Sequence, residues 1–205
     1  MIGFLATGMR GFPTVVLPGR RVFLRPPRPS DWRDWAAIRE ESRAFLTPWE
    51  PTWPPEALSR GLFLRRVRRQ ALEWREDEAY SFLVFRASDE AVMGGIGLSN
   101  LRRGVAQTAS LGYWIGERFT RCGYMTEAVA AILGFAFADL RLHRVEAACL
   151  PQNEASRLLL LGSGFEQEGY ARAYLKINGA WRDHLLFGLL REDYQQRRAI
   201  DRARR

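Results

Sequence analysis

Residues 112–131 constrain the fold of this 205-residue chain more than any other segment. The segment starts as a strand that ends near Ile115, continues as a loop whose glycines are Gly116 and Gly123, and becomes a helix near Thr126. The start of a helix presents unpaired backbone N–H groups and partial positive charge. The segment therefore predicts a seat for a pyrophosphate, although an ordinary strand-to-helix turn would look similar. Arg118 and Arg121 could add charge-assisted contacts.

Hydrophobic periodicity along the rest of the chain predicts one α/β domain, a mixed and mostly antiparallel sheet flanked by helices. Strands are predicted at 22–25, 80–86, 92–100, 108–115, 144–150, 165–176 and 181–190, and helices at 31–45, 56–74, 126–140 and 154–161. The Asn178-Gly179 pair predicts a tight hairpin turn. We expect an irregular arm over 1–19, the domain over 20–192 and a basic, fraying tail over 193–205.

Charge and composition exclude several classes of protein. The longest apolar run, residues 128–138, is too short to cross a membrane. Cys122 and Cys149 form no disulfide framework, which together with the absence of a secretory pattern favours a cytoplasmic protein. His143 and His184 have no cysteine or histidine partners at zinc-site spacing, so we expect no metal.

The net charge of +8 favours phosphate-rich partners, and it derives almost entirely from arginine. Lys176, the only lysine, does not lie in a P-loop motif. Within the second predicted helix, the arginines form either a solvated face or a binding surface. They are Arg60, Arg65, Arg66, Arg68 and Arg69.

The order of elements and several motifs resemble the GCN5-related N-acetyltransferases (GNAT), closest to the RimJ/RimL branch that acetylates the N-termini of ribosomal proteins. The resemblance covers roughly residues 20–192. The segments that carry it are 45–51 (FLTPWEP), 111–116 (LGYWIG), 123–128 (GYMTEA), 143–145 (HRV), 153–156 (NEAS), 164–165 (GF) and 169–184, the last similar to RimJ in particular.

This resemblance implies direct acetyl transfer from acetyl-CoA, as co-substrate, to an amine, without a covalent enzyme intermediate. The residues it places at the acetyl-CoA site are Trp114, Ile115, Arg118, Arg121, Cys122, Gly123, Tyr124, Met125, Thr126, Asn153 and Ser156. The loop departs from the family pattern at Thr120 and Met125, where a long polar residue and a small residue are usual. Backbone amides exist whatever the side chain, so binding is still expected, while the contacts of Thr120 are in doubt.

Many relatives place a tyrosine that protonates the departing thiolate where this chain has Leu160. The resemblance gives that role to Ser156, whose alternative is to satisfy backbone groups in the first helix turn. Asn153 is expected either to contact the pantetheine arm of the cofactor or to act as a plain helix cap.

Glu50, in the connection between the first two helices, is the candidate general base, and its alternative is a surface carboxylate. Glu127 is better explained as a carboxylate that interacts with the helix dipole than as the base. Asp183 is a weaker candidate for the base. Cys122 lacks a partner base for a covalent route. His143, His184 and Cys149 are more simply structural, whereas Trp49, Trp53 and Tyr174 could line the acceptor mouth.

The resemblance implies an enzyme that acetylates the α-amino group of a protein, in particular a ribosomal protein that begins with Ala or Ser. Acetyl-CoA and a protein N-terminus are then the partners, with weak RNA contact from the basic charge. A strongly basic acceptor would require acidic residues such as Glu50 in the cleft. The alternatives are acetylation of a small amine, and an RNA-binding protein with a degenerate transferase site.

Overall fold

The computed structural model of this chain describes residues 13–203, without the side chains of residues 201 and 202. The strands are β1 (Leu17–Pro18), β2 (Val22–Arg25), β3 (Tyr80–Arg86), β4 (Val92–Arg102), β5 (Thr108–Ile115), β6 (Arg144–Cys149), β7 (Glu166–Ile177) and β8 (Ala180–Leu190). The helices are α1 (Trp32–Glu41), α2 (Arg43–Leu46), α3 (Arg60–Arg75), α4 (Tyr124–Gly134), α5 (Glu154–Gly162) and α6 (Arg191–Ala203).

The described residues form one eight-stranded sheet in the order β1-β2-β3-β4-β5-β6-β8-β7. The β5–β6 pair is parallel, and the neighbours of these two strands pair with them in antiparallel register. The predicted α/β fold with a mostly antiparallel sheet is therefore confirmed. Among residues 13–203, no helix has the length and apolar character needed to cross a membrane.

The core lies between the sheet and α4, whose inward face carries small and aliphatic residues. Ala128, Val129 and Ile132 are completely buried there. The five-residue π-helical turn Phe135–Asp139 continues the helix, and the Phe135 ring packs edge-on against strand β3. This packing, rather than helix propensity alone, fixes the long helix against the sheet.

Several predicted boundaries change because of local capping. The predicted helix 31–45 is interrupted at Ser42 and divides into α1 and α2. Helix α3 begins at Arg60 rather than at residue 56, because a proline-rich turn precedes it and the Ser59 hydroxyl accepts a hydrogen bond from the Leu62 N–H at 3.3 Å. The β7–β8 turn is confirmed, since Asn178 and Gly179 both have positive φ.

At the C-terminal end, Arg191–Ala203 form α6, a helix that the sequence analysis did not predict. The helix is held by packing of Tyr194 on Phe137, with ring centroids 5.0 Å apart, and by a hydrogen bond from Arg197 to the Gly162 carbonyl. At the other end, most of the predicted arm lies outside the described residues, while β1 adds a short strand to the sheet edge. The predicted domain bounds stay a prediction.

Candidate active site

The connection between β5 and α4 leaves a row of backbone N–H groups free at the start of the helix. Gly123 caps the helix with a φ of 78°, and Arg121 is also left-handed at 58°. Among the described residues, none accepts a hydrogen bond from the N–H groups of residues 121–126. Alternating left- and right-handed residues that direct successive N–H groups to one place form an anion-binding concavity. The helix dipole adds to its positive potential.

Arg21, directly before β2, anchors this loop from the side. Its guanidinium donates to the Cys122 carbonyl at 2.9 Å and to Glu127 at 2.6 Å, and its backbone N–H donates to the same carboxylate at 2.8 Å. Burial would raise the pKa of Glu127, but these hydrogen bonds outweigh it and lower the pKa. Glu127 is therefore an ionised partner of Arg21 in the first helical turn. Sequence reasoning missed Arg21.

The side chains of the loop point in different directions. Met125 is buried in the core, so its large side chain does not cover the free amides. The Thr120 hydroxyl donates to the Glu117 carbonyl at 2.8 Å and stabilises the preceding turn. Arg118 pairs with Glu41 at 3.1 Å. The two departures from the family pattern thus leave the backbone cradle intact.

The remaining loop residues predicted at the cofactor site fall into two groups. Arg121, Cys122 and Thr126 are exposed beside the free amides. Tyr124 is half-buried, with the Arg21 guanidinium 5.0 Å from its ring centroid.

A gap opens between β5 and β6 next to this loop. The two strands pair from Thr108 with Arg144 as far as Leu111 with Ala147, yet β5 continues to Ile115. Residues 112–115 pair with β4 on their other side. Their backbone groups on the gap side therefore have no strand partner, which suits a ligand that bonds along a strand edge.

Three side chains with polar hydrogens meet in the gap: those of Tyr113, Cys149 and Ser156. The Tyr113 and Ser156 hydroxyls lie 2.6 Å apart and share a hydrogen bond. Burial raises the pKa of Tyr113 to about 12, with the neighbouring Cys149 adding to the shift and Ser156 opposing it. Burial likewise raises the pKa of the Cys149 thiol. The cluster is therefore fully protonated at neutral pH.

Ser156 is held there by the cap of α5. The Asn153 side chain accepts a hydrogen bond from the Ser156 N–H at 3.0 Å, as a helix cap does. Leu160, the position of the tyrosine in many relatives, is buried in the core. The hydroxyl that sequence reasoning did not find belongs to Tyr113, which lies within the LGYWIG segment. The sequence signal for Tyr113 was the alternation of side chains along a strand, because the side chains of Tyr113 and Trp114 must point to opposite faces of the sheet.

On the opposite face, Trp114 lies in a cluster of aromatic and charged side chains. The Arg39 guanidinium lies 4.7 Å from the Trp114 ring and 4.2 Å from the Trp53 ring. Glu50 accepts a bidentate pair of hydrogen bonds from Arg39 and a third from the Trp53 indole N–H at 2.8 Å. Such stacked and bidentate arginine contacts hold all members in one geometry.

This cluster forms one end of a cavity of about 620 Å³ between α1, α3 and the connection that joins them. That volume is within the usual range for ligand sites. The tip of the β7–β8 hairpin closes over the connection, where the Asn178 N–H donates to the Glu50 carbonyl at 2.9 Å. The walls include Trp35, Arg39, Glu50, Trp53, Arg65 and Arg66.

Other predicted residues lie away from these two regions. Asp183 accepts hydrogen bonds from Tyr170 and the Ala173 N–H, and both lie on β7. His184 is buried, with its ring edge-on to Tyr174, and His143 is exposed at the start of β6. Trp49 is half-buried and is not part of the cavity wall.

Comparison with known proteins defines the class of this fold and site. The family model for the acetyltransferase (GNAT) domain matches residues 21–166. The chain belongs to this family of acetyltransferases. It is an N-acetyltransferase, and acetyl-CoA is its co-substrate.

Individual relatives match along nearly their whole length. YjcK of Bacillus subtilis (strain 168), named as an N-acetyltransferase, is 33% identical over 88% of this chain and 100% of its own. The [ribosomal protein uS5]-alanine N-acetyltransferase of Escherichia coli (strain K12) is 34% identical over 89% of this chain and 94% of its own. The structure of Mycobacterium smegmatis RimJ in complex with CoA-disulfide superimposes with a TM-score of 0.83 and 32% identity, covering 89% of this chain and 90% of that one.

Proposed function

We propose that the chain acetylates the N-terminal α-amine of a protein, with a ribosomal protein that begins with Ala or Ser as the acceptor. The relative of E. coli that acts on ribosomal protein uS5 supports this acceptor class, because it matches over 94% of its length. The cavity supports it too, since its rim arginines are exposed and a peptide could enter from solvent. A ribosomal acceptor would place the reaction in the cytoplasm.

The structure offers two surfaces that such a reaction needs, and they share strand β5. Acetyl-CoA supplies the acetyl group and leaves a thiolate that must gain a proton. In our proposal the amides of residues 121–126 hold its phosphates, and the gap between β5 and β6 holds its pantetheine arm. The remaining loop and strand residues predicted for this site, Trp114, Ile115, Arg118, Arg121, Cys122 and Thr126, flank those two positions.

The Tyr113–Ser156 pair carries the proposal for proton transfer. Its two hydroxyls lie 2.6 Å apart, and the raised pKa of Tyr113 keeps the phenol protonated at neutral pH. The pair can therefore donate a proton into the gap and reorient without leaving a buried oxygen unpaired. Ser156 was the residue expected from the sequence, and Tyr113 extends that role to a pair.

On the acceptor side, an α-amine with a pKa of about 8 is about one-tenth neutral at pH 7, so deprotonation is a small task. The Glu50 carboxylate already accepts three hydrogen bonds, two from Arg39 and one from Trp53, and so holds both side chains in place. We therefore propose that Glu50 positions Arg39 and Trp53 around the amine, and that water takes the proton. Positioning of the amine then supplies much of the rate.

Mass spectrometry of peptides incubated with the protein and acetyl-CoA tests this function. The peptides would begin with Ala, Ser or Met, contain an internal lysine, and include N-terminally blocked controls. Spermidine and an aminoglycoside would be parallel acceptors. We expect acetylation of the α-amine of the Ala and Ser peptides only. Modification of the free amines alone would overturn the protein acceptor in favour of a small-molecule enzyme.

A further inference from the structure

The acceptor cavity has an unbalanced charge. Four arginines line it, Arg39, Arg65, Arg66 and Arg69, against the single carboxylate of Glu50. This is the reverse of the acidic cleft that sequence reasoning expected for a basic acceptor. An acidic lining would attract a basic peptide, whereas this lining repels one.

Two of the four arginines already have acidic partners. Arg39 is paired with Glu50, and Arg69 contacts Glu73 at 3.1 Å. Within residues 13–203, neither Arg65 nor Arg66 forms an ion pair or a hydrogen bond. Both guanidinium groups are therefore available to a ligand.

Arg66 lies close to other positive charges. Its guanidinium lies 5.5 Å from the ring centroid of Trp35, and the same ring has Arg39 on it at 5.8 Å. Desolvation by the neighbouring cavity wall lowers the pKa of Arg66 even though its side chain reaches solvent, repulsion from Arg39 and Arg69 lowers it further, and Glu50 opposes the shift. A ligand anion at Arg66 would offset the repulsion from Arg39 and Arg69 and accept charge-assisted hydrogen bonds.

We propose that Arg65 and Arg66 form a carboxylate-binding subsite, so that the enzyme selects acceptors with an acidic side chain within the first few residues after the reactive amine. This inference rests on the proposed function, since it takes the cavity as the acceptor site. It narrows the acceptor from protein N-termini in general to acidic ones. Each of the two guanidinium groups suits a carboxylate, because its planar fork allows bidentate contact.

The first experiment compares peptides that differ at one position. Each begins with Ala, and Glu, Gln or Lys is placed in turn at the second, third and fourth positions. We expect kcat/KM for the best Glu peptide to exceed that of its Gln counterpart about tenfold, and the Lys peptide to be poorest. Equal values for Glu and Gln at all three positions would overturn the subsite.

Variants on α3 assign the effect to these arginines. In the Arg65→Gln/Arg66→Gln double variant, the preference for Glu over Gln should fall below about twofold. Arg68→Gln is the matched control, because Arg68 is exposed on the same helix and is not part of the cavity wall. Arg66→Glu should reverse the order and favour the Lys peptide. An equal loss in Arg68→Gln, or an equal loss for all peptides, would contradict the assignment.

A binding measurement separates failure of the subsite from failure of the proposed function. Trp35 and Trp53 line the cavity, so peptide binding should change tryptophan fluorescence in the presence of CoA, whether or not acetyl is transferred. Peptides acetylated without regard to acidity would overturn the subsite and leave the function standing. The opposite result would be tight binding of an acidic dipeptide through its C-terminal carboxylate, with no acetyl transfer to longer peptides. That result would support the subsite and overturn the proposal of a protein acceptor.

Discussion

In our proposal, the cofactor side and the acceptor side of this enzyme are built from different parts of the residues that form them. The proposed cofactor side is mostly backbone: the amides of residues 121–126 and the open strand edge of residues 112–115. The acceptor side is mostly side chains, of which Arg39, Glu50 and Trp53 are held by contacts with one another. A backbone site tolerates exchange of side chains, whereas a side-chain site changes its specificity with each exchange. The backbone of the cofactor side is therefore characteristic of the family, whereas the side chains of the acceptor side determine which acceptor is selected.

The largest effect is expected at the junction of the two sides. Tyr113→Phe removes the phenol proton and leaves Ser156 with a lost partner, so kcat should fall about 100-fold with little change in CoA affinity. Ser156→Ala should resemble it, and the double variant should cost little more, because the pair acts as a unit. Steady-state kinetics and CoA titration measure this.

Tyr170→Phe is the control for Tyr113→Phe, since its hydroxyl bonds to Asp183 outside both regions. A kcat within about twofold of the wild type in Tyr113→Phe would remove this residue from the chemistry.

The next largest effect is expected from a substitution that perturbs only the backbone of the cofactor side. In Gly123→Ala the new Cβ would require a left-handed residue at the helix cap and would lie 3.2 Å from Arg21. A left-handed residue other than glycine costs about 1–2 kcal/mol. Because the strain falls on the amide cradle, the affinity for acetyl-CoA should fall about tenfold by calorimetry.

Gly104→Ala imposes the same strain at a positive φ of 62° in open space, away from the loop. It should lose comparable stability but no cofactor affinity. Equal cofactor affinity in the two variants would contradict the cradle.

A smaller effect is expected from a substitution on the acceptor side. Glu50→Gln removes the charge that balances Arg39, so kcat/KM for the acceptor should fall about fivefold while acetyl-CoA affinity stays constant. The pH profile of kcat distinguishes the two roles of Glu50. A positioning residue leaves the acidic limb in place, and loss of that limb in the variant would show instead that Glu50 is the general base.

The smallest effect concerns stability at acidic pH. The lowered pKa of Glu127 means that its ionised form is favoured by folding. Its contribution is therefore present above the unfolded value of about 4.3 and is lost as the pH falls through the folded value. Because the pair with Arg21 is partly exposed, the contribution should be below about 1 kcal/mol.

Urea unfolding of the wild type and Glu127→Gln at pH 7 and pH 3 measures the contribution of Glu127. The difference between the two proteins should be present at pH 7 and become smaller at pH 3. A difference that is as large at pH 3 as at pH 7 would show that the carboxylate charge is not its source.

The same contrast explains how much could be predicted from the sequence. Strand β5, the start of α5 and the β7–β8 turn follow from local signals: alternation, the Asn153 cap and the Asn178-Gly179 pair. The anion cradle follows from a glycine between a strand and a helix. All of these depend on residues close together in the chain.

The acceptor side was predicted only in part, since Glu50 and Trp53 were expected there but their contacts with Arg39 join separate segments. Arg39 meets Trp114 across 75 positions of sequence, and no local pattern marks that meeting. On the cofactor side, Tyr113 and Ser156 are 43 positions apart, and Ser156 was expected only through the family resemblance. The sequence analysis treated the arginines of α3 as one group. Helical geometry divides them into those that line the cavity and those, such as Arg68, that do not.

Bisubstrate kinetics with one Ala-initiated peptide tests the separation of the cofactor side from the acceptor side most directly. Initial rates would be measured over a grid of acetyl-CoA and peptide concentrations for the wild type, Gly123→Ala and Glu50→Gln. We predict that Gly123→Ala raises the KM for acetyl-CoA alone and that Glu50→Gln raises the KM for the peptide alone. If each variant changed both constants by the same factor, the two sides would be one site and the account would be wrong.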